Sequence, residues 1–363
     1  MALNNPKTTK QWTVEGFEGP SSLQFSEMPV PSLKDNEVLV QIKGATLNPR
    51  DLLITQGQYP WTVKQSIIPG SDGAGIVLAT GSSVTRFKPG DRVITTLNQK
   101  HICGSLTKDI ALNYGTGASI DGTFRQFGAF DEQALVAMPS HVSFVEAAAL
   151  TCAGVTAWNA LFGGGRGKEI LGEGGWVLTQ GTGSVSLFAL QFAKASGARV
   201  IATTSSSSKI SLLQSLGADH VINYRETPNW GADAKELTGG SGVDLVVEVA
   251  GPTTIRQSAE SLKLDGQISV VGFIGGQGDG SGDSNAQTQG QVPSLLETWL
   301  NLYTARGVWV GSREQMEEMC RAVEASGVRP VIDERVFKLE DLREAYEYLA
   351  EGRNVGKIGI EIQ

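Results

Sequence analysis

Cysteine and histidine are scarce in this chain. Each occurs only three times in 363 residues, as Cys103, Cys152, Cys320, His101, His141 and His220. So few cysteines exclude a disulfide scaffold, and any metal site must draw on very few ligands.

Long apolar runs and an excess of positive charge are also missing. No run has the roughly 20 apolar residues that cross a bilayer, and residues 1–12 are polar, without the apolar centre of a secretory signal. Thirty basic against thirty-eight acidic residues give a net charge of −8, which argues against binding to nucleic acid or an anionic membrane. We therefore expect a cytoplasmic protein that binds neither.

Glycine, by contrast, is abundant. The 45 glycines are about 12% of the chain, against an ordinary level of about 7%, and they follow no collagen-like period. Because 40% of the residues are hydrophobic, the chain is not disordered. Its length predicts about two domains.

Short strands dominate the first 150 residues. Residues 37–43 alternate polar and apolar side chains, and apolar strands are expected at 75–79 and 92–95. Glycine and proline turns separate them, which favours a rolled or closed β-structure. Residues 98–123 have no periodicity and are expected to form a long surface loop.

From residue 145 the pattern changes to strands that alternate with helices. A helix is expected over 146–161, followed by alternating segments at 176–179, 186–195, 199–203, 209–216, 220–223, 243–249 and 267–271. This alternation is typical of an α/β domain with a parallel sheet. The tail from residue 315 is expected to form a helix, a strand, a second helix over 339–351 and a last strand over 357–361.

A glycine turn marks a candidate dinucleotide site. It comprises Gly181, Thr182, Gly183, Ser184 and Val185, and it follows a strand and opens a helix. Glycines there permit a tight turn and close approach of the backbone to a pyrophosphate, and the helix start offers free N–H groups. Ser186 stands where the third glycine of the fingerprint would be, so the surrounding strand–turn–helix unit carries the prediction.

The residues after the second strand favour NADP(H) over NAD. NAD sites normally carry a carboxylate there for the ribose 2′-hydroxyl. Here Thr204, Ser205, Ser206 and Lys209 offer hydroxyls and a positive charge, which suit a 2′-phosphate. The serines can also cap the following helix, and the two roles are compatible.

Several ordered motifs resemble those of the medium-chain dehydrogenase/reductase superfamily. They are Asn48-Pro-Arg-Asp51, the glycine-rich Gly70–Gly75, Lys88-Pro-Gly-Asp91, Cys152-Ala-Gly-Val-Thr156, the turn at Gly181 and Leu216-Gly-Ala-Asp219. The resemblance implies a GroES-like β-domain over 1–150, completed by 313–363. It also implies a Rossmann NADP-binding domain over 151–312 and a homodimer. It adds Asn48, Thr156, Tyr224, Ala250, Phe273 and Ile274 to the expected cofactor contacts.

The same resemblance indicates that the catalytic zinc is absent. Zinc members bind the metal through Cys, His and Cys, and the matching positions here are Asn48, Ser71 and Cys152. An amide and a hydroxyl are poor substitutes for thiolate and imidazole. His101 and Cys103 are two ligand types in a polar loop and are not expected to bind metal. We expect no metal.

The motif Asn-Pro-x-Asp is similar to that of zinc-free quinone oxidoreductases and enoyl-thioester reductases. Those relatives also carry a Gly-x-Tyr-Pro segment, matched by Gly57–Pro60. The resemblance makes Tyr59 the candidate proton donor, Asn48 a hydrogen-bond donor to the substrate and Asp51 the residue that orients their loop. Tyr59 can equally be an aromatic residue that packs at a loop.

These features predict hydride transfer from NADPH to an activated C=C in an enone, a quinone or an enoyl compound. Such a reaction spreads charge over an enolate and suits a site that has only hydrogen-bond donors. A zinc-independent alcohol dehydrogenase or ketone reductase that tailors a secondary metabolite is the second interpretation. A non-catalytic NADPH-binding protein is the third.

Aromatic residues indicate a small-molecule substrate that is bulky and apolar. Trp61, Phe124, Phe127, Phe130 and Trp299 are candidates for the pocket, although aromatic residues more often belong to the core. Arg125 lies among them and is expected to be a solvated loop residue. Val308-Trp309-Val310 resembles the last Rossmann strand, which in these dimers pairs across the two-fold axis.

Overall fold

Two structural units make up the chain in the computed structural model. The structure describes residues 6–165, 167, 171, 174–272 and 295–363. Unit 1 comprises Met1–Val155 and Gly311–Gln363, and unit 2 comprises Thr156–Val310. The chain thus leaves unit 1, forms unit 2 and returns to complete unit 1.

Unit 1 is built mainly on antiparallel strands. Their bounds are β1 Thr8–Val14, β2 Leu23–Pro29, β3 Glu37–Thr46, β4 Asp72–Thr80, β5 Arg92–Thr95, β6 Phe127–Asp131, β7 Leu135–Ala137, β14 Phe337–Lys338 and β15 Gly359–Glu361. β1 and β2 pair as a two-stranded sheet, and the others form a sheet in the order β14-β15-β3-β4-β5-β7, with β6 also paired to β3. The one described parallel pair of named strands in this unit is β14 with β15. The C-terminal strand β15 therefore lies beside β3, near the start of the chain.

The core of unit 1 forms where the alternating side chains of β3 meet apolar residues from the C-terminal segment. Val38, Val40 and Ile42 are buried in one cluster with Tyr346 and Ile360. Burial of aliphatic side chains of this size stabilises the fold by about 1.5–3 kcal/mol each. The C-terminal segment thus belongs to the core of unit 1.

Helices of unit 1 connect or cover these strands. They are α1 Pro49–Thr55, α2 Lys108–Asn113, α3 Phe144–Ala148, α10 Arg313–Ser326 and α11 Leu342–Ala350. A π-helical segment, Leu150–Gly154, follows α3 and carries Cys152. π-Helical turns are rare and occur frequently at functional sites.

One described helical run, Phe144–Phe162, is long and apolar enough to cross a membrane by length and composition. This differs from the expectation that no run reaches that length. The most apolar window of this run is 67% buried, as in the core helix of a globular protein. Length and composition alone are weak signs of a membrane span.

Unit 2 is a six-stranded parallel sheet. Its strands are β8 Trp176–Gln180, β9 Arg199–Thr204, β10 His220–Asn223, β11 Val243–Glu248, β12 Leu262–Val270 and β13 Thr304–Gly307, and its helices are α4 Val155–Phe162, α5 Ser184–Ala195, α6 Ile210–Ser215, α7 Trp230–Leu237, α8 Ile255–Ser261 and α9 Leu295–Leu300. β8 and β11 are buried along their whole length, as in a sheet that is covered on both faces.

The strand order of unit 2 reverses between β8 and β11. The order is β10-β9-β8-β11-β12-β13, so the chain first builds outward from β8 in one direction and then from β11 in the other. Ligands of doubly wound sheets bind beyond the carboxyl ends of the strands at such a reversal. The glycine turn follows β8 and therefore lies at this point.

Two expectations about loops and strands are wrong. Residues 98–123 contain the helix α2, and Asn98, Thr116 and Thr123 within them are buried, so this segment is only partly a surface loop. The last strand of unit 2 is β13, which ends at Gly307, and Val308-Trp309-Val310 does not continue it. Val308 and Val310 are instead buried beyond the strand end.

Candidate functional site

The polar centre of unit 1 lies where α1 begins. Asn48 is the N-cap residue, with extended backbone angles, and Pro49 follows at the first helical position. The Asn48 backbone N–H donates to Asp51 Oδ2 at 2.8 Å, which satisfies one of the free N–H groups at the helix start. Asp51 thus orients the Asn48 backbone, as the motif predicts.

A closed ring of hydrogen bonds joins Asn48 to Lys357. Asn48 Nδ2 donates to Ser71 Oγ at 3.3 Å, and Ser71 Oγ donates to Asp72 Oδ1 at 2.8 Å. Lys357 Nζ donates to Asp72 Oδ2 at 2.8 Å and also to Asn48 Oδ1. Thr46 Oγ1 adds a bond of 2.7 Å to Asp72 Oδ2. All five residues are buried.

Arg50 links α1 to Tyr59. Its Nε donates to Tyr59 Oη at 3.2 Å, its guanidinium lies 4.9 Å from the centre of the Tyr59 ring, and its Nη1 donates to the Thr116 carbonyl at 3.1 Å. Because the Tyr59 oxygen accepts from Arg50, its phenolic proton is directed elsewhere. Tyr59 is partly buried, so this structure supports both the catalytic and the packing interpretation.

Burial controls the charges at this centre. It raises the pKa of the Asp51 carboxyl to about 6, an effect that Arg50 opposes and Asp72 reinforces. Burial also raises the pKa of the Cys152 thiol to about 12, with a further contribution from the Asp72 carboxylate. Cys152 is therefore a neutral thiol at physiological pH and a poor nucleophile.

The three positions that match zinc ligands have the wrong chemistry for zinc. Asn48 and Ser71 form a hydrogen bond to each other, and Cys152 is close enough to Asp72 and Lys357 for their charges to act on its thiol. An amide and a hydroxyl are poor ligands for Zn²⁺, and a single cysteine is too few to hold it. Within the described residues, no three His, Cys, Asp or Glu side chains are grouped as a metal site requires.

The glycine turn of unit 2 has the form that a dinucleotide requires. Gly181 has a φ of +75°, and a Cβ at either Gly181 or Gly183 would meet no atom within 4 Å. Gly183 is the N-cap of α5, whose first residues are Ser184 and Val185. This open space before a helix start fits a pyrophosphate.

The side chains after β9 and β10 lie beside this turn. Lys209 Nζ donates to Thr182 Oγ1 at 3.1 Å, which brings the lysine to the phosphate-binding turn. Thr204 and Ser206 are joined by a bond of 3.2 Å from the Ser206 N–H to Thr204 Oγ1. Ser205 is half-buried between them, and Tyr224 is exposed at the end of β10. The structure thus brings Lys209 to the glycine turn and joins Thr204 to Ser206.

A buried carboxylate holds the loop after β11. Glu248 accepts hydrogen bonds from the N–H groups of Ala250 and Gly251 and from the hydroxyl of Thr254 through Oε1. Its Oε2 accepts from Gln180 and Ser258. Ala250, a predicted cofactor contact, is therefore in an ordered loop at the carboxyl edge of the sheet.

The remaining predicted residues are less informative. Thr156 is buried at the start of α4. Phe273 and Ile274 lie outside the described residues.

The predicted aromatic residues differ in burial and belong to two units. Phe124 and Phe130 are core residues of unit 1, whereas Trp299 is 68% exposed on α9 of unit 2. Arg125, expected to be solvated, is buried against the Phe130 ring, and burial lowers its pKa to about 10.

Three charged residues of these networks have functions that were not predicted from the sequence: Arg50, Glu248 and Lys357. Glu248 ends an apolar strand, and Lys357 interrupts the apolar C-terminal run that includes Ile358 and Ile360. A lone charge in such a run is the signal that could have found each of them.

Two family models match the chain. The alcohol dehydrogenase GroES-like domain matches residues 34–140, and the zinc-binding dehydrogenase domain matches residues 184–325. The first falls within unit 1, and the second covers most of unit 2 and the start of the returning segment.

Relatives extend the match to nearly the whole chain. A zinc-type alcohol dehydrogenase-like protein of Schizosaccharomyces pombe is 40% identical over 96% of this chain and 97% of its own length. The crystal structure of a putative alcohol dehydrogenase from Sinorhizobium meliloti is 34% identical, with a TM-score of 0.86 over 98% of this chain and 99% of that one. A crotonyl-CoA carboxylase/reductase is 25% identical, with a TM-score of 0.83 over 98% of this chain and 88% of its own. Domain order, sheet topology and these similarities together establish that the chain belongs to the medium-chain dehydrogenase/reductase superfamily and is an oxidoreductase of the alcohol dehydrogenase-like type.

Proposed function

We propose that this oxidoreductase is zinc-independent and uses NADPH to reduce an activated C=C in an enone, a quinone or an enoyl compound. The observation that carries the proposal is the replacement of a metal-binding set by neutral donors, in which Asn48 and Ser71 bond to each other and Cys152 remains a protonated thiol. Similarity to a crotonyl-CoA carboxylase/reductase supports this substrate class.

The residues of unit 1 would stabilise and protonate the product of hydride transfer. Bound NADPH supplies the hydride to the β-carbon. The Asn48 amide donates to the substrate oxygen, where negative charge develops as the enolate forms. Tyr59 delivers a proton, because its oxygen already accepts from Arg50 and its O–H is directed elsewhere. Arg50 remains charged throughout, since burial opposes its charge but Tyr59 and Asp51 raise its pKa above the ordinary value.

NADPH rather than NADH is the proposed cofactor. Lys209 contacts Thr182 of the phosphate-binding turn at 3.1 Å, and the hydroxyls of Thr204 and Ser206 lie in the same segment, so the site suits a 2′-phosphate. We expect K209M to raise the KM for NADPH about tenfold or more and to leave the KM for NADH nearly unchanged, as loss of a charged hydrogen bond implies. K235M, on the neighbouring helix α7, is the control; an equal effect on both cofactors would contradict the assignment.

The reaction class is tested by comparing two substrates. NADPH oxidation is measured with a series of enones and with the matching saturated ketones. We expect the enones to be reduced faster, and Y59F and N48A to lower kcat/KM for the best enone by about tenfold or more each. Unchanged kcat/KM in both variants would contradict the roles of Tyr59 and Asn48.

A ketone reductase or alcohol dehydrogenase is the second candidate. The names of the relatives from S. pombe and S. meliloti favour it. Faster turnover of the saturated ketones would establish it in place of the first. Cofactor binding without turnover of any carbonyl compound would instead indicate a non-catalytic NADPH-binding protein.

Assembly and compartment complete the proposal. We propose a homodimer that acts in the cytoplasm on a small, apolar molecule. None of Cys103, Cys152 and Cys320 forms a disulfide, which fits a reducing compartment. The exposed apolar surface of unit 2, considered in the Discussion, supports the dimer.

A further inference from the structure

Lys357 is a buried cation that the proposed reaction leaves without a role. Its side chain is 2% exposed, and it reaches the polar centre from the C-terminal segment. We propose that Lys357 is a positioning residue for the reduction: its ammonium group holds the Asn48 amide with the oxygen inward, one N–H on Ser71 and the other N–H toward the substrate. The inference rests on the proposed function only in taking Asn48 as the donor to the substrate.

The hydrogen bonds of Lys357 exclude direct contact with a substrate. An ammonium group has three N–H donors and no acceptor. Here the three acceptors are the Leu47 carbonyl at 3.3 Å, Asp72 Oδ2 at 2.8 Å and Asn48 Oδ1. Since every donor has an acceptor inside unit 1, Lys357 can influence the reaction only through these neighbours.

The direction of each bond in the ring follows from the lysine. Lys357 can only donate, so Asn48 must turn its oxygen to Nζ, and its Nδ2 then faces Ser71 at 3.3 Å. Ser71 has one hydroxyl proton, which goes to Asp72 Oδ1, and its oxygen is therefore free to accept from Asn48. Without the cation, the two ends of the amide could exchange places.

The ring leaves one amide N–H of Asn48 without a hydrogen bond to the described part of the chain. An ammonium group bound to the amide oxygen draws electron density from the amide nitrogen, so this remaining N–H becomes a stronger donor. Such a fixed donor stabilises an oxygen on which negative charge develops. Lys357 thereby places a positive charge behind the donor without exposing it to the substrate.

Asp72 complicates a simple test. It is fully buried and accepts from Ser71, Thr46 and Lys357. Loss of Lys357 alone leaves this carboxylate without its counter-charge, which can destabilise the fold. The test therefore uses K357M together with the charge-balanced variant K357M/D72N, and K194M as a matched control at the exposed Lys194–Asp219 pair of unit 2.

The first experiment observes the Asn48 amide directly and needs no substrate. Protein labelled with ¹⁵N only at asparagine is compared by NMR, and the Asn48 side-chain pair is identified as the signal that N48A lacks. We expect this pair to be shifted and protected from hydrogen exchange in the native protein and in K194M. In K357M/D72N it should move to the position of exposed asparagines. An unchanged Asn48 signal in K357M/D72N would overturn the proposal.

The second experiment asks whether Lys357 acts through Asn48. With the best substrate, K357M/D72N should lower kcat about tenfold or more and leave the KM for NADPH within about twofold. Addition of N48A should cause no further loss, because both changes remove the same donor. Fully additive losses would assign Lys357 a separate, structural role and overturn the inference.

The two proposals fail in different ways. If ketones are reduced and enones are not, the proposed reaction class is wrong, yet the same comparison proceeds with the ketone because its oxygen also becomes negative. If the NMR signal of the Asn48 amide is the same in K357M/D72N as in the native protein, the inference is wrong whichever compound is reduced.

Discussion

Burial makes Asp51 sensitive to pH. Its carboxyl accepts the Asn48 backbone N–H at 2.8 Å and lies 3.6 Å from the Arg50 guanidinium. Burial still outweighs these favourable contacts and raises its pKa from 3.8 to about 6. The folded protein therefore binds a proton at Asp51 more tightly than the unfolded chain does.

The sign of the effect on stability follows from this difference. Between about pH 4 and pH 6 the native state holds more protons at Asp51, so its contribution to the free energy of unfolding falls as pH rises. An asparagine at position 51 does not titrate, so we expect D51N to lack this fall in the free energy of unfolding. Between about pH 4 and pH 6, the free energy of unfolding of D51N should therefore rise relative to that of the native chain by up to about 1.4 kcal/mol per pH unit. Urea unfolding near pH 4.5 and pH 6.5 measures it.

The control for this prediction is D109N, at an exposed position of α2. It should leave the pH dependence of unfolding as it is in the native chain. If the free energy of unfolding of D51N depends on pH as that of the native chain does, the raised pKa of the buried Asp51 carboxyl is contradicted.

Some residues of the centre are predictable from the sequence and others are not. Asn48, Asp51 and Tyr59 belong to local motifs within about one helix, so their proximity follows from spacing. Lys357 meets Asp72 across 285 residues, and no local pattern carries that pairing. Arg125 was misjudged because its burial depends on how distant strands pack.

At the scale of elements, Glu248 organises the turn between β11 and α8. This fully buried carboxylate accepts hydrogen bonds from five donors in the described part of the chain, two of them backbone N–H groups and none of them a cation. Because a carboxylate only accepts, it can order several donors at once. The loop that carries Ala250 depends on it.

We expect E248Q to destabilise the protein by about 1–3 kcal/mol, because the new amide N–H₂ would face donors that have lost their acceptor. Chemical denaturation measures the loss, and the KM for NADPH should rise if Ala250 contacts the cofactor. E260Q, at an exposed position of α8, is the matched control. Equal stability of the two variants would show that the five bonds contribute little.

Some of the elements were predictable from the sequence, whereas β1, β2, β6, β7 and β13 were not predicted. The alternation in β3 and the apolar runs of β8 and β11 identify them directly. Residues 98–123 failed this test, since their buried polar side chains, such as Thr116, are stabilised by tertiary hydrogen bonds. Residues 308–310 failed for the opposite reason: the Val308 N–H still donates to the Val270 carbonyl, but the run is not a strand even though Val308 and Val310 are buried.

At the scale of the molecule, one exposed apolar surface stands out in unit 2. Leu295, Leu296, Trp299, Leu300 and Leu302 are each more than half exposed. They lie on and after α9, next in sequence to β13, which is the last strand of the sheet. An open strand edge beside apolar residues favours association with another chain, and we propose that a second copy of this chain covers it.

The test is the mass of the particle in solution. We expect the native protein to be a dimer and W299E to be a monomer, because a charge in a buried apolar interface is costly to desolvate. Size-exclusion chromatography with light scattering separates the two. F17E, at an exposed aromatic residue of unit 1, should remain a dimer. A monomeric native protein would contradict the proposed homodimer.

The ring around Asn48 also sets an order of events during synthesis. Thr46 and Asn48 are the first residues of the ring to be synthesised. They leave the ribosome long before Lys357, and all of unit 2 is synthesised in between. The counter-charge of Asp72 is therefore synthesised almost at the end of the chain. Unit 2 is complete in sequence before that and can fold first. A nascent chain would thus acquire its cofactor-binding unit before its catalytic centre, and a chain cut short ahead of Lys357 would bind a dinucleotide without the residue that positions Asn48.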